Sequence, residues 1–197
     1  MRLGLLGGTF DPIHFGHLAL AEAAIECAGL DRVLLVPSAQ PPHRPSARAS
    51  AEDRLAMCRL AAEGDPRLEV SEIEIRRAGP SYTLDTLAEV RQERPGDELF
   101  LVLGWDAARE LASWHRPREV LALSRPVIVN RPGLERPGEA DLRRAGLDPA
   151  RVIVCPQRTP DARATEVRRL AAAGSELESM VPEAVARYIR KRRLYRS

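Results

Sequence analysis

Leu3-Gly4-Leu5-Leu6-Gly7-Gly8-Thr9-Phe10-Asp11-Pro12-Ile13-His14-Phe15-Gly16-His17 is the stretch that decides the fold. It begins as a short apolar run and breaks into a glycine- and proline-containing turn. It then leads into Leu18, Ala21, Ile25 and Ala28, which repeat at helical spacing with Gly29 behind them as a C-cap. A strand that turns directly into a helix is the opening unit of a parallel sheet, and the chain keeps repeating that alternation. The further strand candidates are Arg32–Val36, Leu68–Ile75, Leu99–Leu103, Val127–Val129 and Val152–Val154. Ser50, with Asp53 after it, opens another helix in the manner of a capping box. Pro182–Arg193 reads as the last helix, with Val185, Tyr188 and Ile189 on one side. The pattern is that of an α/β fold, a parallel sheet with helices on both faces.

Composition sets the outer bounds. The 197 residues are 44% hydrophobic and 29% charged, which excludes a mostly disordered or collagen-like chain. A single domain over residues 1–197 is expected, with breaker-rich surface loops at Pro37–Ser50 and Asn130–Gly138. Thirty basic against 28 acidic residues give a net charge of +2, so no overall field draws the chain to nucleic acid or membrane. The basic residues are all arginine except Lys191. Residues 187–197 hold six basic side chains and no acidic one, so the body of the protein is mildly acidic. Cys27, Cys58 and Cys155 are far apart and form no C-x-x-C pair, from which a reduced, cytoplasmic setting is expected. The apolar Leu3–Leu6 is too short for a signal peptide, and no run approaches the roughly 18 residues of a membrane span.

The turn after the first strand carries the chemistry. Gly7 and Gly8 let backbone approach an anion with no side chain in the way, and the following helix N-terminus presents free amides. His14 and His17, three residues apart at the helix entrance, project from nearly one face and can converge on a phosphate chain as donors. The string contains neither G-x-G-x-x-G nor G-K-[ST], so it is neither a dinucleotide fingerprint nor a Walker loop.

His14-Phe15-Gly16-His17 resembles the T/H-x-G-H signature of a nucleotidyltransferase superfamily. Pro41-Pro42-His43-Arg44, Ser81-Tyr82-Thr83 with Thr86 and Leu87, and Gly104-x-Asp106 with Trp114 narrow the resemblance to the bacterial nicotinate mononucleotide adenylyltransferases. The tail from Val181-Pro182 through Tyr188-Ile189 to Leu194-Tyr195 extends it over nearly the whole chain. The resemblance implies a Rossmann-like doubly wound sheet. It also implies transfer of the adenylyl group of ATP to nicotinate mononucleotide, with Mg²⁺ held mainly by the phosphates. On that resemblance His14 and His17 are catalytic, and Gly8, Thr9, Phe10, His14, His17, Arg44, Gly104, Asp106, Thr165 and Arg168 bind ATP. Tyr82, Thr83 and Trp114 would line the pyridine pocket.

Each assignment has a plainer competitor. Trp114 suits stacking on a flat ring but also suits ordinary core, and Tyr82, Thr83, Asp106 and Thr165 all stand where helix caps stand. Arg168 reads equally as a solvated charge. Arg163 departs from the family pattern, replacing the first serine of its second phosphate element. Two other functions compete: transfer to nicotinamide mononucleotide or another acceptor on the same scaffold, and a nucleic-acid module built on the basic tail. Oligomeric state leaves no readable mark.

Overall fold

A computed structural model describes residues 1–40, 47–130, 135–158, 160 and 162–196. The strands are β1 (Arg2–Gly8), β2 (Arg32–Pro37), β3 (Leu68–Val70), β4 (Glu98–Gly104), β5 (Arg125–Asn130) and β6 (Ile153–Arg158). The helices are α1 (Phe15–Ala28), α2 (Ala51–Ala62), α3 (Ile73–Arg76), α4 (Thr83–Glu93), α5 (Trp105–Ala108), α6 (Pro117–Leu123), α7 (Glu139–Arg144), α8 (Ala164–Ala172) and α9 (Glu183–Arg192). A 3₁₀ turn at Leu111–Ser113 precedes α6.

All six strands are parallel, in the order β3-β2-β1-β4-β5-β6. Successive side chains feed opposite cores, as a sheet covered on both faces requires. Leu6, Val33, Leu35, Phe100, Val102, Val127 and Val129 pack on the face that also receives α1, α8 and α9. Leu3, Leu5, Leu34, Leu99, Leu101, Leu103 and Ile128 pack on the face that carries α4, α6 and α7. The strand order reverses between β1 and β4, so their C-terminal ends open the crevice in which such folds bind ligands.

The capping signals hold. Gly29 ends α1 at φ 58°, and the Ser50 hydroxyl accepts the Asp53 N–H at 3.0 Å at the start of α2. Two expectations are corrected. Leu68–Ile75 is not one strand: β3 stops at Val70, the Ser71 N–H donates to Leu35 O at 2.9 Å, and Ile73–Arg76 coils into α3. Its buried residues are the adjacent pair Ile73 and Glu74, a helical pattern that alternation in the sequence imitates. The cysteines are not three separate thiols either. Cys27, in the last turn of α1, is joined to Cys155 on β6 as a disulfide with a Cα–Cα distance of 5.6 Å. A separation of 128 residues conceals in the sequence what the packing of α1 on the sheet brings together. Cys58 is a buried free thiol. Among the described residues no helix is long and apolar enough to cross a membrane.

Candidate active site

The site is built on the turn from β1 into α1. The Ser38 N–H donates to Gly8 O at 2.9 Å, so the end of β2 holds the turn from one side. Phe10 takes a left-handed φ of 48°, unusual for a residue with a side chain, and the Asp11–Pro12 bond is cis. Its ring is buried and meets the His17 ring edge-on, with centroids 4.9 Å apart. His14 is the N-cap of α1, and its imidazole stacks on that of His17 at 3.7 Å. The His14 backbone N–H donates to His17 Nδ1 at 3.3 Å. In a neutral imidazole an accepting Nδ1 leaves the proton on Nε2, so His17 is set as an Nε2–H donor. No acidic residue occupies the first turn of α1, which leaves the positive end of the helix dipole for an outside anion.

A second element meets this turn from the far end of the chain. α8 begins beside the entrance of α1, because a Cβ added at Gly16 would lie 3.0 Å from Ala162 O. Arg168 Nη1 donates to Asp11 O at 2.6 Å, so that side chain is bonded to the turn and is not a solvated charge. Thr165 is exposed in the first turn of α8, whose N-cap is the exposed Arg163. Arg44, with Pro41, Pro42 and His43, lies outside the described residues.

Beneath the turn lie residues that the sequence reading quoted without a role or passed over. Arg54 of α2 is only 2% exposed, and its Nη1 donates to Thr9 O at 2.6 Å. Burial lowers its pKa, opposed by the nearby Asp11 carboxylate. Asp11 itself is buried, and its carboxylate accepts the Arg48 and Ala49 N–H groups at 2.8 and 3.1 Å. The string around Asp11 was legible as a turn. Arg54, inside a helix of unremarkable periodicity, offered no signal.

The remaining predicted residues stand on the segment tied to the end of β2 and on the stretch that follows β4. Ser81 Oγ accepts the N–H groups of Ala39 and Gln40 at 3.0 and 3.1 Å, which straps Ser81-Tyr82-Thr83 to the end of β2. Buried Glu74 accepts from the Thr86 hydroxyl at 2.6 Å, and Arg77 donates to the same hydroxyl at 3.0 Å. Burial raises the Glu74 pKa, opposed by its bonds from Thr86 and Ser81. Tyr82 is the N-cap of α4 without a side-chain capping bond, and Thr83 is the first helical residue. The Tyr82 ring stacks on His115 at 4.2 Å, a partner absent from the sequence reading. Trp114 is half-buried and packs against the α4 face core, so part of its plainer role holds. Gly104 caps α5, and Asp106 sits at the second position of that helix.

Three of the six basic side chains of the tail meet carboxylates among the described residues. Arg187 pairs with Glu183 at 2.5 Å, Arg190 with Glu178, and Arg192 with Asp53 at 3.2 Å. The hydrogen bond from Arg190 pulls the Glu178 carboxyl down to about 2.

Residues 5–170 match the cytidylyltransferase-like family model. A probable nicotinate-nucleotide adenylyltransferase of Pseudomonas putida (strain GB-1) is 43% identical over 209 aligned residues, spanning 100% of this chain and 95% of that protein. One from Herpetosiphon aurantiacus is 41% identical, covering 98% of each. Among solved structures, the Plasmodium falciparum nicotinic acid mononucleotide adenylyltransferase complexed with NaAD superposes with a TM-score of 0.80. It covers 98% of this chain and 97% of that one, and at 16% identity it supports the fold. The chain belongs to the nicotinate-nucleotide adenylyltransferases of the cytidylyltransferase-like family.

Proposed function

We propose that the protein transfers the adenylyl group of ATP to nicotinate mononucleotide, forming nicotinate adenine dinucleotide and pyrophosphate in NAD biosynthesis. The observation that carries this reading is the convergence at the β1/β4 switch point. A glycine turn, a helix N-terminus with no acidic first turn, two stacked histidines and an arginine bonded to the turn all meet there.

An oxygen of the mononucleotide phosphate attacks the α-phosphorus of ATP. A new P–O bond forms as the bond to the bridging oxygen breaks, and the electron pair leaves with pyrophosphate. The attacking monoester is ionised near neutral pH, its second pKa being about 6, so no general base is needed. Catalysis rests on alignment and on donors aimed at the departing charge. His17 Nε2–H and His14 face that charge. Gly8, Thr9 and Phe10 supply the turn, and Thr165, Arg168 and Arg44 supply further phosphate donors. Gly104 and Asp106 lie beside the nucleotide, and Tyr82, Thr83 and Trp114 border the pyridine ring.

A divalent cation belongs to this chemistry, and we assign Mg²⁺. It would be held mainly by the phosphates of ATP. When bound, it neutralises triphosphate charge. The whole chain acts as one catalytic unit. A cytoplasmic placement follows from the intracellular substrates and not from the cysteines.

The test is His17→Ala, with α-labelled ATP and nicotinate mononucleotide as substrates. Label should pass to the dinucleotide in the native enzyme, and the variant should lose roughly 10²–10³-fold in kcat, as loss of one aimed donor does. A folded variant with native turnover would refute the role given to His17.

A further inference from the structure

The C-terminal tail ends against the back of the β1–α1 turn, and nothing in the reaction just described uses it. α9 closes with Arg193 at φ 53°, its N–H bonded to Arg190 O at 3.2 Å while the Leu194 N–H reaches Ile189 O at 3.0 Å. Tyr195 follows at φ 66°. Two departures into the left-handed region within three residues, both by residues with side chains, are held where surrounding contacts over-determine them. Here the result is that the Tyr195 hydroxyl donates to Asp11 Oδ1 at 2.9 Å, across a separation of 184 residues. Burial, with the Asp11 carboxylate beside it, pushes the phenol far above its ordinary pKa and keeps it a donor.

Asp11 joins more than the tail. Its carboxylate accepts the N–H groups of Arg48 and Ala49, on the segment that follows Pro41–Ser46 in the sequence, and its carbonyl accepts from Arg168 of α8. Arg54 grips the neighbouring Thr9 carbonyl. The turn that precedes His14 is thus fixed from behind by α2, α8, residues 48–49 and the tail. Of these fixings, Tyr195 comes from the stretch that follows α9.

We propose that Tyr195 is a positioning residue for the phosphate-binding turn: its hydrogen bond to Asp11 holds Thr9–Pro12 in the shape that receives ATP, so the C-terminal tail sets ATP affinity. This rests on the ATP site described under Proposed function. Tyr188 supplies an internal control. Its hydroxyl, in the preceding helix α9, donates to Asp53 Oδ1 at 2.9 Å, the same kind of bond to another buried aspartate, but one whose partners among the described residues are Ser50, Tyr188 and Arg192 and not the turn.

The experiment uses the full chain with Tyr195→Phe and Tyr188→Phe. It combines calorimetric titration with ATP, steady-state kinetics in both substrates, and thermal melts. Tyr195→Phe should raise the ATP Kd and KM about five- to tenfold, with the KM for nicotinate mononucleotide changed less than twofold. The two variants should lower Tm by similar amounts, and Tyr188→Phe should leave ATP binding as in the native protein. Native ATP affinity in Tyr195→Phe, an equal rise in both KM values, or the same ATP defect in Tyr188→Phe would overturn the proposal. A native protein that binds ATP but does not adenylylate nicotinate mononucleotide refutes the acceptor reading and leaves the Kd comparison to decide on Tyr195. A native protein that does not bind ATP refutes both.

Discussion

Gly16→Ala tests how tightly the two ends of the site are built against each other. Gly16 is the second residue of α1 and is buried. A Cβ there would stand 3.0 Å from Ala162 O, a backbone atom, and 3.1 Å from both Nδ1 and Cε1 of His14. Something must move by a few tenths of an ångström, and each candidate matters to function. Either the entry to α8 shifts away, carrying Thr165 and Arg168 with it, or the His14 ring turns off His17. Overpacking of this kind costs about 1–3 kcal/mol. Replacing glycine by alanine within a helix returns about 1 kcal/mol. The net loss of about 0–2 kcal/mol lowers Tm by at most about 8 °C for a chain of this size. The catalytic loss is disproportionate. A misplacement of about 1 Å can cost on the order of 10²-fold, so a shift of a few tenths of an ångström corresponds to roughly tenfold in kcat/KM. Pyrophosphate release at 25 °C, beside a thermal melt of the same sample, reads both quantities. Native kcat/KM in a folded Gly16→Ala protein would refute the claim that α1 and α8 meet tightly enough to align the phosphates.

Gly4→Ala is the opposite case. Its Cβ would meet Leu30 Cδ1 at 2.8 Å, Val33 Cγ2 at 3.0 Å and Val102 Cγ2 at 3.1 Å, deep in β1 and away from the crevice. Tm should fall by roughly 5–10 °C while kcat/KM at 25 °C stays within twofold; an activity loss larger than the stability loss would count against the separation of core and site. Glu74 gives a pH signature. Burial raises its folded pKa, so the native state holds that proton more tightly than the unfolded chain does. The resulting stabilisation is complete below about pH 4 and is lost as pH climbs through the folded pKa. Glu74→Gln cannot ionise, so its Tm relative to the native protein should rise as pH climbs from about 4 towards the raised folded pKa, and a flat difference would show that Glu74 is not held against its charge.

What was legible in the sequence was local. The strand, turn and helix of residues 3–28 announce themselves because apolar run, glycine pair, histidine spacing and C-cap all lie within one stretch of chain. The same holds for the Ser50 cap and for the parallel direction of the strands, which follows from strands alternating with helices. Contacts between distant stretches were silent. Nothing near Asp11 points to Tyr195, nothing near Cys27 points to Cys155, and the burial of Arg54 depends on a turn 45 residues upstream. The basic run at 187–197 reads as a solvated face and its basic residues are exposed in the structure, while its carboxylate partners Asp53 and Glu178 lie outside the run and could not be read from it. The overlong third strand has the complementary cause. Ile73 and Ile75 alternate as a strand would, and only the Ser71 bond to β2 marks where pairing stops.

The central claim is acceptor identity, and the direct measurement is product formation by the purified protein with ATP and Mg²⁺, supplied in parallel with nicotinate mononucleotide or nicotinamide mononucleotide. The account predicts nicotinate adenine dinucleotide and stoichiometric pyrophosphate, with kcat/KM for the acid exceeding that for the amide. Turnover of neither acceptor, or a preference for the amide, would contradict it.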